Sequence, residues 1–168
     1  MKKKAIISSL ILVLVVLLIG VFYYIKSSKL NISIPAPNRI ITYNHGQSKI
    51  LTSNDKNFND IVKLINDRFE KSNSYNLKHS SKNVSSLYKN KLSWECLEFI
   101  YDGDKSLKLK NKNIKYRKLF FTIRSENNSD YGTDFAYGDK EYIAEVFGLY
   151  NNKEVMTNLL DIIDKEMK

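Results

Sequence analysis

The sequence has one cysteine, two prolines, six glycines and two histidines among 168 residues. A lone Cys96 excludes an internal disulfide, and it lies too far along the chain to take the lipid of a lipoprotein. Six glycines leave little for phosphate-cradling loops, and H-E-x-x-H, G-x-S-x-G, C-x-x-C and P-loop spacings are all missing. No cofactor and no metal site is therefore expected. Disorder, a collagen-like repeat and a multi-span transporter are excluded by ordinary proportions of hydrophobic (43%) and charged (27%) residues.

What is present begins with Lys2, Lys3 and Lys4, followed by an uncharged, Leu/Ile/Val-dominated run from Ala5 to Ile25. As a helix that run measures about 31 Å, the thickness of a bilayer's hydrocarbon. Tyr23 and Tyr24 suit the far interface, and Lys26 and Lys29 mark the return to water. A cleaved signal peptide has a shorter apolar region and a small-residue cleavage site, which Val21-Phe22-Tyr23-Tyr24-Ile25 does not offer. The early glutamate of pilin-type anchors is also missing. The expectation is a single-pass anchor: residues 1–4 a cytoplasmic tail, 5–25 the membrane helix, 26–37 a Ser/Pro tether and 38–168 one extracytoplasmic domain.

Within that domain Arg39–Tyr43 and Ser48–Thr52 flank Asn44-His45-Gly46-Gln47, which predicts a β-hairpin. Phe58, Ile61, Val62, Ile65 and Phe69 fall on one face of a helix that Asn54 or Asp55 would cap. Lys71–Asn83, which carries His79, reads as an exposed loop. Leu97, Phe99 and Tyr101 alternate with Cys96, Glu98 and Ile100, and Asp102-Gly103-Asp104 predicts a turn into a strand from Lys105 to Lys110. Tyr116–Arg124 is a further strand, Phe135–Tyr137 and Tyr142–Phe147 are read as strands, and Asn151-Asn152 cap a last helix with Val155, Met156, Leu159, Ile162 and Ile163 inward. The order ββα-βββ(β)-α gives an α+β domain: an antiparallel sheet with about two helices on one face.

Charge supplies the candidate surfaces. The net charge is +9, or +6 without the three leading lysines. Lys105, Lys108, Lys110, Lys112, Lys115, Arg117 and Lys118 are uninterrupted by any acid. Continuing the strand to Lys112 places Lys108, Lys110 and Lys112 on one face, a row able to meet anionic wall polymers or lipid headgroups rather than nucleic acid. The same lysines would also protect an edge strand from pairing with other chains. The sign reverses from Glu126 to Glu145, where Asp130, Asp134, Asp139 and Glu141 lie without a calcium-loop spacing.

With an N-terminal anchor, a β-rich outer part and the order His45 or His79, Cys96, and Arg117 or Arg124, the chain resembles membrane-anchored transpeptidases of the sortase type. That resemblance implies a Cys96 thiolate nucleophile, a histidine acid and an arginine beside the oxyanion. Those enzymes place Thr-Leu-x-Thr before the cysteine, where this chain has Leu92-Ser93-Trp94-Glu95. The whole plan of lysine-flanked anchor, tether and Lys/Asn/Ile/Tyr-rich domain also resembles small single-pass proteins of Gram-positive bacteria. That likeness implies a location and no more. The leading expectation is a non-catalytic binding or accessory module of the cell envelope, contacting a protein or an anionic polymer through Lys108, Lys110, Lys112, Lys115, Arg117 and Lys118; the oligomeric state is left open.

Overall fold

Strand β1 (Arg39–Asn44) and strand β2 (Gln47–Leu51) pair around a two-residue loop in which His45 (φ 47°) and Gly46 (φ 84°) are both left-handed. A tight hairpin turn of this kind needs positive φ at both central residues, and glycine supplies it without strain. The computed structural model describes residues 13–22, 32–71, 79–80, 89, 91–109, 112–124, 134–149 and 152–168.

Helix α1 (Phe58–Lys71) follows β2. Phe58, Ile61, Ile65 and Phe69 are fully buried and Val62 packs beside them, the face read from the 3.6-residue period. Its first helical bond runs from the amide of Ile61 to the carbonyl of Asn57, so the cap is Asn57 rather than Asn54 or Asp55. Asp55 serves the turn before it, accepting from the amide and hydroxyl of Thr52. The remaining elements are β3 (His79–Ser80), β4 (Glu95–Leu109), β5 (Lys112–Arg124), β6 (Asp134–Gly138), β7 (Tyr142–Gly148) and α2 (Lys153–Glu166). Asn152 caps α2 by accepting from the amides of Glu154 and Val155.

All strands join one antiparallel sheet in the order β2-β1-β4-β5-β6-β7-β3. The chain is α+β. Helices α1 and α2 pack on one face, where Phe69, Leu159 and Ile163 share a core with Leu97, Phe99, Leu119, Phe121 and Phe135. Phe69 meets Phe121 and Phe135 edge-on, at centroid distances of 6.1 and 5.2 Å.

Four expectations need correction. Asp102-Gly103-Asp104 does not turn the chain: β4 runs through it, the register stepping from Ile100↔Lys118 to Lys105↔Tyr116. The extra residues form a bulge, held where the amide of Asp102 donates to the Asn38 side chain and Arg117 pairs with Asp104. Secondly, Lys108 sits opposite Asn113 and Lys112 opposite Leu109, so these two lysines face opposite sides, and Lys110 lies outside the described residues. Thirdly, His79 and Ser80 form an edge strand against Phe147 and Val146 rather than part of a loop. Lastly, Ile32 and Ile34, expected to lie in a spacer, are buried in the core, and Asn66 of α1 holds the backbone of Ile34 from both sides, accepting from its amide and donating to its carbonyl.

Of the expected membrane helix, residues 13–22 are helical, while 5–12 and 23–25 lie outside the described residues. Among the described residues no helix is long and apolar enough to cross a membrane.

Two glycines test the packing. A Cβ at Gly138 would land on the carbonyl oxygen of Glu141 across the β6–β7 turn, whereas one at Gly103 meets nothing. Gly138→Ala is expected to lower unfolding stability by about 1–3 kcal/mol and Gly103→Ala to leave it within about 1 kcal/mol, read from urea midpoints.

Candidate functional site

The sheet face away from the helices has its own small core of Cys96, Phe120, Ala136 and Tyr142, with Tyr43 and Trp94 packed against it. Strand alternation sends Glu98 to this face, two residues from Cys96, and leaves its side chain only 7% exposed. A carboxylate there needs partners, and three arrive, two of them from distant parts of the chain. Lys91, in a short helical turn at residues 91–93, places its ammonium 2.8 Å from Oε2. The Tyr43 hydroxyl donates to the same oxygen at 2.7 Å, and the Tyr142 hydroxyl donates to Oε1. Burial pushes the Glu98 carboxyl upward, but these three hydrogen bonds and the Lys91 charge outweigh it and hold the group below its ordinary value. Lys91 also lies 4.8 Å from the Tyr43 ring centroid, and Lys118 lies 4.4 Å from that of Tyr142. Burial and the neighbouring Lys91 charge bring Lys118 below the usual lysine value.

The thiol candidates do not converge. Cys96 is fully buried, and its thiol is pushed far up, first by burial and then by the charge of Glu95. The β3 strand of His79 is four strand positions from β4, about 19 Å at the usual spacing. Arg117 reaches Asp104 at 2.5 Å and Asp139 at 3.6 Å on the far side of the bulge. His45 and Arg124 do meet, but on Glu95: His45 Nε2 is 3.3 Å from its carboxylate and Arg124 pairs with the same oxygen. These contacts cross-link the β1–β2 turn, the start of β4 and the end of β5. Among the described residues no group of three His, Cys, Asp or Glu side chains could hold a metal ion.

The basic candidates divide in the same way. Arg117 is occupied by carboxylates, and Lys118 donates to the Lys140 carbonyl. Lys108 and Lys115 are exposed on the outer side of the β4–β5 arm, whose inner side buries Leu107, Ile114 and Tyr116. In that inner layer burial pushes the Tyr116 phenol up to about 12. Of the acidic stretch, Asp139 and Glu141 stand exposed in the β6–β7 turn, while 126 and 130 lie outside the described residues.

Two concavities lie among the described residues. A groove of about 480 Å³ separates α1 from α2, with Asp60, Asp67, Glu154 and Asp161 interleaved with Lys63 and Lys165. A smaller, apolar cleft of about 320 Å³ lies at the β1–β2 turn between Tyr43, Gly46, Lys89, Lys91 and Leu92. Leu92 is 70% exposed there. No protein-family model, curated protein or solved structure matches the chain.

Sequence reading missed the Glu98 cluster. The available signal was an acid on an apolar alternating strand, but its partners are 55 and 44 residues away for Tyr43 and Tyr142.

Lys91→Met is expected to destabilise the fold by about 3–5 kcal/mol at neutral pH, because it leaves a buried carboxylate without its cation. In the native protein Glu98 is depressed below 4.5, so its contribution is full above that value and is lost as pH falls. In Lys91→Met the carboxyl is expected to rise instead, so that the deficit shrinks between pH 7 and pH 5. Urea midpoints at the two pH values measure this; an unchanged deficit would mean that Lys91 acts by packing alone. For Cys96, labelling by a thiol reagent is expected to be at least about 100-fold slower in the native protein than in denaturant.

Proposed function

We propose that the chain is a single-pass membrane protein whose outer α+β domain works by binding, as an accessory module of the cell envelope. The observation that carries this reading is the condition of residues 13–22. They form a helix whose large apolar side chains, from Val13 to Phe22, are 45–65% exposed, and none of them belongs to either core. Such a helix has no favourable place in water, since each large apolar side chain gains about 1.5–3 kcal/mol on burial. It lies within the uncharged run from Ala5 to Ile25, so a bilayer is the medium that accounts for it best. The lysines before the run favour a cytoplasmic N-terminus and an extracytoplasmic domain.

The chemistry of the outer domain supports binding over the thiol route. The thiol route implied by the sortase-like resemblance finds no support in a buried Cys96 whose histidine and arginine candidates are engaged elsewhere. Glu98, Lys91 and the two tyrosines satisfy one another and therefore stabilise one arrangement of the second sheet face.

The anchor is tested by alkaline carbonate extraction of membranes from cells making the full chain. The native protein is expected to stay in the pellet. Leu14→Lys combined with Leu17→Lys is expected to release most of it, since each lysine at mid-bilayer costs about 2.5–3.5 kcal/mol. Native protein in the supernatant would defeat the anchored reading.

A further inference from the structure

The chain enters the domain at one particular end of the sheet, and the same end carries the basic arm. Ile32 and Ile34 are buried, the Pro35 carbonyl accepts from the Tyr101 hydroxyl at 3.0 Å, and the Asn38 amide donates to the Ile100 carbonyl at 2.9 Å. Pro35 and Asn38 are therefore fixed beside Ile100 and Tyr101, at the β4 bulge. Only residues 26–31 separate the first buried position, Ile32, from the end of the apolar run, a reach of about 25 Å at most. β1 then runs away from this end, so the His45–Gly46 turn lies about 20 Å further off. β4 runs the other way. Beyond the bulge it continues with β5 through five paired positions, from Lys105↔Tyr116 to Leu109↔Lys112, reaching at least about 15 Å past Ile100 in the direction away from the β1–β2 turn.

The charge of this arm fits that position. From Lys105 to Tyr116 it carries Lys105, Lys108, Lys110, Lys112 and Lys115 and no acid. Asp104 and Asp139 are held at its base by Arg117, with Asp102 beside them in the bulge. Its inner apolar side is buried, which leaves Ser106, Lys108, Asn113 and Lys115 outward.

We propose that the β4–β5 arm is a lipid-facing surface that lays its lysines on the anionic headgroups of the membrane from which the domain hangs. This rests on the anchored reading above. The arm restricts the domain to one orientation and points the β1–β2 turn, with its apolar cleft, away from the bilayer. A lipid surface is favoured over a soluble anionic polymer because the lysines lie at the end of the sheet where the chain comes in from the apolar run.

The test uses the full chain in vesicles of phosphatidylcholine with or without phosphatidylglycerol, labelled with a fluorophore at Ser106→Cys or Gln47→Cys, Cys96 being buried. Spin-labelled headgroups act as quencher. Quenching at position 106 is expected in the anionic vesicles at low salt and is expected to fall at high salt, while position 47 stays bright. Each lysine at an anionic surface contributes about fivefold, so Lys108→Ala with Lys115→Ala is expected to reduce the arm's partition about 25-fold. Quenching at 106 that ignores lipid charge, or quenching at 47 instead, overturns the proposal. So does an arm label that responds to soluble polyphosphate but not to anionic lipid. Carbonate extraction of the same vesicles reports the anchor separately. A chain that resists extraction but shows no charge-dependent quenching keeps the anchor and loses the arm. An extractable chain loses the anchor, and the arm then stands only if charge-dependent quenching at 106 persists.

Discussion

β4 and β5 pair along nearly their whole length at the centre of the sheet, with β1 paired to β4 and β6 to β5. β1 and β2 extend the sheet from β4, and β6, β7 and β3 extend it from β5. Alternation along these two strands serves two cores at once. Leu97, Phe99, Leu119 and Phe121 face the helices, while Cys96, Glu98 and Phe120 face the opposite way. A slip of one residue in this pairing would exchange the two sets, sending Glu98 under the helices and two phenylalanines to the other side. The Glu98 cluster penalises that slip, since its hydrogen bonds to Tyr43 on β1 and Tyr142 on β7 exist in one register only. Polar groups buried in this way contribute little net stability but select one arrangement among several.

The bulge at Tyr101–Asp104 divides this spine into two parts with different surroundings. On the Glu95 side the strands are central and buried on both faces; beyond the bulge they form an arm that is apolar on one side and basic on the other. Carboxylates gather at the junction, where Asp104 is held well down by Arg117 through a hydrogen bond and its charge. Arg117 thus belongs to the frame rather than to the basic surface that its place in the sequence indicated. Its neighbours Lys108 and Lys115 lie further out and carry the exposed charge.

Legibility in the sequence followed the range of the interactions. Helix α1 was readable because Phe58, Ile61, Ile65 and Phe69 repeat within one element, and β5 because Leu119, Phe121 and Ile123 do likewise. Both strands read from aromatic content, β6 and β7, are present. Asp102-Gly103-Asp104 was misread because a bulge and a hairpin turn use the same residues; the difference lies in whether a partner continues alongside, and that partner, β5, is not local. The cap of α1 was misplaced by two residues because Asp55 found a nearer use in Thr52, while Asn57 both caps the helix and donates to Glu166 at the end of α2. The order His, Cys, Arg gave no hint that His45 and Arg124 would close on Glu95 rather than on Cys96.

The two ends of the sheet therefore pose different chemical problems, and the proposed arrangement follows from their opposition. At the entry end, buried Ile32 and Ile34 and the Asn38 amide fix the incoming chain against α1 and β4 rather than against the β1–β2 turn. At the other end, His45, Glu95 and Arg124 tie three strand termini together, and Lys49 with Asn57 bind Glu166 of α2, so the turn that lines the apolar cleft is braced on both sides. A braced surface loses little conformational entropy when it meets a partner. An arm that holds the opposite end on the bilayer would add a second restraint of the same kind, limiting the domain's rotation about its short tether. In the proposed arrangement both restraints act before a partner would arrive, so little orientational freedom would remain to be lost on binding.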